Sequence, residues 1–217
     1  MKTAILVYCL LAMLAGVVVR SQESVDSVES GTPVPALTVE SAPIEGLVAE
    51  QEGLSSEAYP VYAHLMEMFR NAQTAILADY TQASRSTMND YGESLQQYLR
   101  KAQMNGDMVE FAAAKKESDR FTAEGTLSEA NLSDVATLRY LQRPFANRYQ
   151  SVLDLRSERA IQVQIKLVES MNAIQREWSS QARFDDAIYM IRQVDKVQEN
   201  VQRMRAQAAP ALSSSGR

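Results

Sequence analysis

The sequence predicts an all-α fold: two tandem long–short antiparallel helical hairpins, packed as an elongated, coiled-coil-like bundle behind a signal peptide and a linker. Three observations predict it. Apolar residues recur every three or four positions over about 45 residues, the period of an α-helix. Only 8 Gly and 6 Pro interrupt 217 residues. The pattern returns without a gap after a shift of 76 positions.

The N-terminus comes first. Lys2 precedes an apolar run from Ala4 to Val19 that ends at Arg20. One positive charge, an apolar stretch and then a polar Ser/Glu-rich segment read as a secretory signal peptide over residues 1–21, or as an uncleaved N-terminal anchor. Val19 and Ser21 supply small residues for a cut after Ser21, without an Ala-x-Ala site. The run is shorter than the ~20 residues that a membrane-spanning helix needs. Cys9, the only cysteine, falls inside it, so the mature chain would hold no disulfide, thiolate metal site or cysteine nucleophile.

Residues 22–56 follow as an acidic, Ser/Pro-containing linker expected to be disordered. Eight acids and no Lys or Arg lie between Gln22 and Glu57, and Pro33, Pro35 and Pro43 break any helical period. The rest, from Ala58 onward, carries 19 acids and 20 bases. With no basic stripe to neutralise phosphates, nucleic-acid binding is excluded as a function class.

The first hairpin unit covers residues 57–124. From Leu65 a seam runs through Phe69, Ala72, Ile76, Tyr80, Ala83, Thr87, Tyr91, Leu95, Tyr98 and Ala102. Its steps average about 3.7 residues and describe one helix from about Glu57 to Gln103, roughly 70 Å long. Asn105-Gly106 ends it, since glycine adopts the left-handed conformation of helix C-termini. Asp107 then caps a shorter helix, and Glu110 three residues on completes a capping-box pattern. Met108, Phe111, Ala114 and Phe121 share one side of that helix. Residues 125–133 connect to the second unit, 134–207, and a tail over 208–217 is expected to be disordered.

The second unit repeats the first. Phe69 aligns with Phe145, Leu65 with Leu141, Leu77 with Leu153, Tyr91 with Leu167, Leu95 with Met171, Ala102 with Trp178 and Met108 with Phe184. Two departures stand out. Pro144 lies early in the second long helix, which should begin near it or kink there. The turn Gln181–Ala187 lacks glycine, so the helix is expected to bend there instead of breaking.

The turn Gly106-Asp107-Met108-Val109-Glu110-Phe111-Ala112, behind a long Tyr/Leu-periodic helix, resembles a pattern in uncharacterised exported bacterial proteins. These carry long–short helical units joined by a Gly-Asp-apolar-x-x-Ala turn behind a signal peptide. The resemblance spans about residues 57–200 and departs in the second copy, where Ala182-Arg183-Phe184 stands instead. It implies no activity and no site residues.

No catalytic, cofactor-binding or metal residue is assigned. His64, the only histidine, forms a His-x-x-Glu pair with Glu67, which reads as a polar surface pair. One histidine cannot build a multi-histidine zinc site or a di-iron bundle. Asp185 and Asp186 are adjacent and diverge by about 100° on a helix, so they suit a helix N-terminus better than a carboxylate pair. No Gly-x-Ser-x-Gly elbow or phosphate loop occurs. Met68, Met104, Met108, Met171 and Met190 are read as seam packing ahead of a copper or client-binding surface. Tyr80, Tyr91 and Tyr98 are read as seam residues ahead of a carbohydrate-stacking strip. Asn131-Leu132-Ser133 matches a glycosylation sequon with no other eukaryotic signal beside it. The expected function is therefore a non-enzymatic scaffold or adaptor of the cell envelope, periplasmic or extracellular. It would meet a protein partner or itself through apolar helix seams, and a membrane only through residues 4–19. The alternative is a holdase-like chaperone.

Overall fold

The structure, a computed structural model, describes residues 53–214. The signal segment and most of the linker, residues 1–52, lie outside the described residues. The protein is all-α, as its periodicity predicts. Helix α1 spans Tyr59–Asn105, α2 Met108–Glu124, α3 Ala136–Ser180 and α4 Phe184–Ser214, with a single 3-10 turn at Glu129–Asn131. No strand occurs among the described residues, and no described helix is long and apolar enough to cross a membrane.

Each element ends for a local reason. The hydroxyl of Ser55 accepts the Ala58 N–H ahead of α1, and Pro60 occupies the first turn, where a missing N–H does no harm. At the end of α1, Gly106 (φ +71°) closes a Schellman turn: its N–H reaches the Gln103 carbonyl and that of Asp107 reaches Ala102. Asp107 then caps α2 through bonds from the N–H groups of Val109 and Glu110 at 3.1 and 3.0 Å. The expected capping box is only half formed. The Asp107 N–H is already engaged by Ala102, and the Glu110 carboxylate accepts from the Thr137 hydroxyl.

The turn between α3 and α4 breaks cleanly, correcting the expected bend. Ala182 takes φ +60°, its N–H reaches the Ser179 carbonyl, and that of Arg183 reaches Trp178. Every member of this turn lies 76 residues after its counterpart in the first. An alanine therefore holds the left-handed position that glycine holds in the first copy. The Arg183 guanidinium, 5.1 Å over the Trp178 ring, packs the turn against the helix it ends. Pro144 neither starts α3 nor ends it: the helix begins at Ala136, eight residues earlier, and runs through the proline. Helix α4 reaches Ser214, past the point where the sequence predicts a tail, and includes Pro210.

The helices divide into two compact units, and each unit draws on both repeats. One contains residues 53–77 and 156–214: the N-terminal part of α1, the C-terminal part of α3, and α4. Its core is built from Tyr62, Leu65, Met66 and Phe69 on α1, Leu167, Met171, Ile174 and Trp178 on α3, and Ala187, Met190, Val194, Val197 and Val201 on α4. Leu54, inside the expected linker, packs on this core, and Tyr62 meets Tyr189 edge-on at 5.6 Å.

The other unit is Ala78–Leu155: the remainder of α1, all of α2, and the N-terminal part of α3. Met88, Tyr91 and Leu95 pack with Ala114 on α2 and with Leu138, Ala146 and Tyr149 on α3. Tyr91 meets Phe121 (4.8 Å) and Phe145 (5.5 Å), and with Gln96 on Ser118 and Tyr98 on Thr137 further along these contacts run α2 and α3 antiparallel to α1. The arrangement is a reciprocal exchange. Each long helix gives its C-terminal part to the short helix that follows it and its N-terminal part to the other repeat's hairpin.

At the centre of the second unit lies a buried polar network. The Tyr91 hydroxyl donates to the Glu117 carboxylate at 2.6 Å, and Arg120 holds the same carboxylate through Nε and Nη2, both at 2.8 Å. Burial, and then the bond to Glu117, push the Tyr91 phenol well above its ordinary pKa. Gln142 donates to Tyr91 and accepts the Ser133 N–H, tying α3 and the connecting loop to the same point. At the corresponding positions of the first unit stand Leu167, Gln193 and Met66, so this network has no counterpart there.

Candidate interaction surfaces

Two regions depart from the rule that apolar side chains turn inward, one in each compact unit. In the unit Ala78–Leu155 the end of α1, the start of α2 and the start of α3 enclose a groove of about 820 Å³. Its floor holds Leu141, Pro144 and Phe145, and its walls hold Tyr98, Thr137, Tyr140, Lys101, Asp107 and Glu110. A hydrogen-bond chain orders the polar side. The Thr137 hydroxyl gives its proton to Glu110 at 2.7 Å, so the Tyr98 hydroxyl donates to Thr137, also at 2.7 Å. Partial burial pushes the Tyr98 phenol above its ordinary pKa, against the opposing pull of the Thr137 bond. Tyr140 stands 85% exposed on the rim. On the neighbouring helix ends, Met104 is 84% exposed, and Met108 and Val109 are nearly as open.

The other unit presents a stripe on α4. Phe184, Ile188 and Ile191 are 62%, 47% and 44% exposed, although their spacing of four and three places them on one face. A second face of the same helix, through Ala187, Met190, Val194 and Val197, is buried in the core. Helix α4 is thus apolar over more of its circumference than the core covers.

Near its N-terminus a polar cluster fixes the start of the described chain. The buried Asp186 carboxylate accepts the Ser55 N–H at 2.7 Å, the Ser55 hydroxyl at 2.8 Å and the Arg183 guanidinium at 2.8 Å. Burial works to raise its pKa, but these bonds outweigh it and hold the carboxyl below its usual range. Asp186 and Asp185 lie in the first turn of α4, where the sequence placed them. The linker's last residues, 53–56, are therefore fastened to α4.

The chain matches no protein-family model, no curated protein and no solved structure.

The remaining sequence candidates fall as follows. His64 and Glu67 are both mostly exposed, with Nδ1 and Oε2 4.0 Å apart. Met171 and Met190 are fully buried, as seam packing requires, and Met68 is half-buried. Met104 and Met108 are corrections: both point to solvent, because they sit beside a turn that no other described segment covers. Tyr80 and Tyr91 are buried and Tyr98 half-buried, so the three form no stacking strip. Asn131, in the sequon, closes the 3-10 turn and is half-buried. Sequence reasoning missed Tyr140, Thr137 and the α4 stripe. The available signal was position: Tyr140 sits off the Leu138–Leu141–Phe145 seam, and Phe184, Ile188 and Ile191 add a second apolar face to α4.

Proposed function

We propose that this chain is a non-enzymatic scaffold or adaptor of the cell envelope that acts through contacts between helices. The observation that carries the reading is the pair of exposed apolar surfaces, Met104–Met108–Val109 beside the Tyr140 groove and Phe184–Ile188–Ile191 on α4. The seams of the long helices are occupied within the chain, so these are the surfaces left for a partner. Export rests on the apolar segment 4–19 and its flanks. Cross-linking in native cells followed by affinity capture tests the reading. One or two stoichiometric partners, or the protein itself, are expected, and they should be lost with M104D/M108D or with I188D.

A second reading, a holdase, is favoured by the exposure of Met104 and Met108, since flexible thioether side chains suit varied apolar clients. A broad, substoichiometric set of unfolded envelope proteins in the same capture would replace the adaptor with the holdase.

A further inference from the structure

The α4 stripe has a feature that narrows its partner. Asp185 and Arg192 flank Phe184, Ile188 and Ile191 on the same side, seven residues apart, and both are exposed. At about 100° per residue they differ by only ~20° around the helix. Neither carries an ion pair among the described residues. We propose that this face binds a second copy of the chain, α4 against α4 and antiparallel, with Ile188 facing Ile188 at the two-fold centre.

Register and charge select that arrangement. In an antiparallel pair centred on Ile188, Asp185 of one copy meets Arg192 of the other, and the contact occurs twice by symmetry. Phe184 then lies over the stem of Arg192 in the second copy, and each Ile191 lies near the other helix's N-terminal turn. A parallel pair would carry the Asp185–Arg192 flanks of the two copies to opposite sides of the seam, where neither charge meets its counterpart. The stripe is two turns long and buries less than the ~800 Å² per partner of a stable interface. The dimer is accordingly weak and concentration-dependent, one that local crowding on an envelope surface would populate. The inference rests on the scaffold reading and specifies one of its contacts.

Sedimentation equilibrium of the full-length chain, with Cys9→Ser, tests it across a roughly hundredfold concentration range. A monomer–dimer equilibrium is expected. D185R should weaken it about tenfold by opposing Arg192 with arginine, and the double variant D185R/R192D should restore it, because the pairs re-form with reversed sign. An I188C variant in the same Cys9→Ser background should oxidise to a single disulfide-linked dimer. Rescue by the double variant separates a broken interface from a damaged fold. A monomer at every concentration overturns the proposal, as does self-association that ignores both charge variants. If capture in cells still returns a stoichiometric heterologous partner in those cases, the scaffold reading survives without this contact.

Discussion

Glu117 shows how one residue sets the stability of the unit around it. Its carboxylate is buried and holds three hydrogen bonds, from Tyr91 and from two nitrogens of Arg120. Removing it leaves the buried Tyr91 hydroxyl without an acceptor and Arg120 with only Glu124 and Thr126, which costs far more than an exposed ion pair is worth. Glu117→Ala is expected to destabilise the protein by about 3 kcal/mol in urea unfolding, whereas K115A, which loses the exposed pair to Asp119, should change it by less than about 0.5 kcal/mol. Asp186 makes the complementary case through pH. Its folded pKa lies below the ordinary 3.8, so its stabilising contribution is complete above that value and is lost as the pH falls through the folded pKa. Asp186→Asn should therefore lower the melting temperature at neutral pH, and the gap from wild type should close as the pH drops below about 4. Neither network was legible in the sequence. A glutamate at a seam-adjacent position carries no mark of burial until Tyr91 and Arg120 are seen to converge on it.

At the scale of the element, the helices themselves were legible and their ends only partly so. The seam from Phe69 to Ala102 is buried or half-buried at every named position, because an amphipathic period reports directly which face is covered. Gly106 was readable as a stop since glycine advertises positive φ. Ala182 was not, because it adopts the same conformation at a cost that the Schellman bonds and the Arg183–Trp178 contact offset. That cost predicts a stabilising substitution. Ala182→Gly should raise stability by about 0.5–1 kcal/mol, and Gly106→Ala should lower it by about 1 kcal/mol, both by denaturant titration. No atom crowds the site of an added methyl at Gly106, so the second effect isolates backbone strain. Of the two readings of Pro144, a helix start beside it fails because α3 already runs from Ala136, so the proline stands inside the helix.

For the whole molecule, the sequence predicts the number of helices and their order, but not which pieces pack together. A periodic seam tells which side of a helix is buried and says nothing about which neighbour buries it. That is why the exchange between repeats was hidden: each short helix covers only part of its long helix, and the uncovered part could equally have faced another chain. The exchange predicts that neither hairpin stands alone. Residues 53–125 hold two of the three segments of one compact unit and one of the other. That fragment by itself should show low helicity by circular dichroism and no cooperative melt as a monomer. Mixed in equal amounts with residues 126–217, it should regain most of the intact chain's helicity and a cooperative transition.

The continuity of α1 across Leu77 and Ala78 has an evolutionary consequence. One helix serves two cores, each through its own stripe: Tyr62 and Phe69 in one, Tyr91 and Leu95 in the other. A single inserted residue within either stripe, for example between Tyr91 and Leu95, would turn the residues beyond it by about 100° and take them off their own core. Length changes there should survive only in whole-turn multiples such as seven or eleven, which nearly restore phase. The loop at residues 125–133 is held at two points, Leu127 in the core and the Ser133 N–H on Gln142, so its length can change only between them.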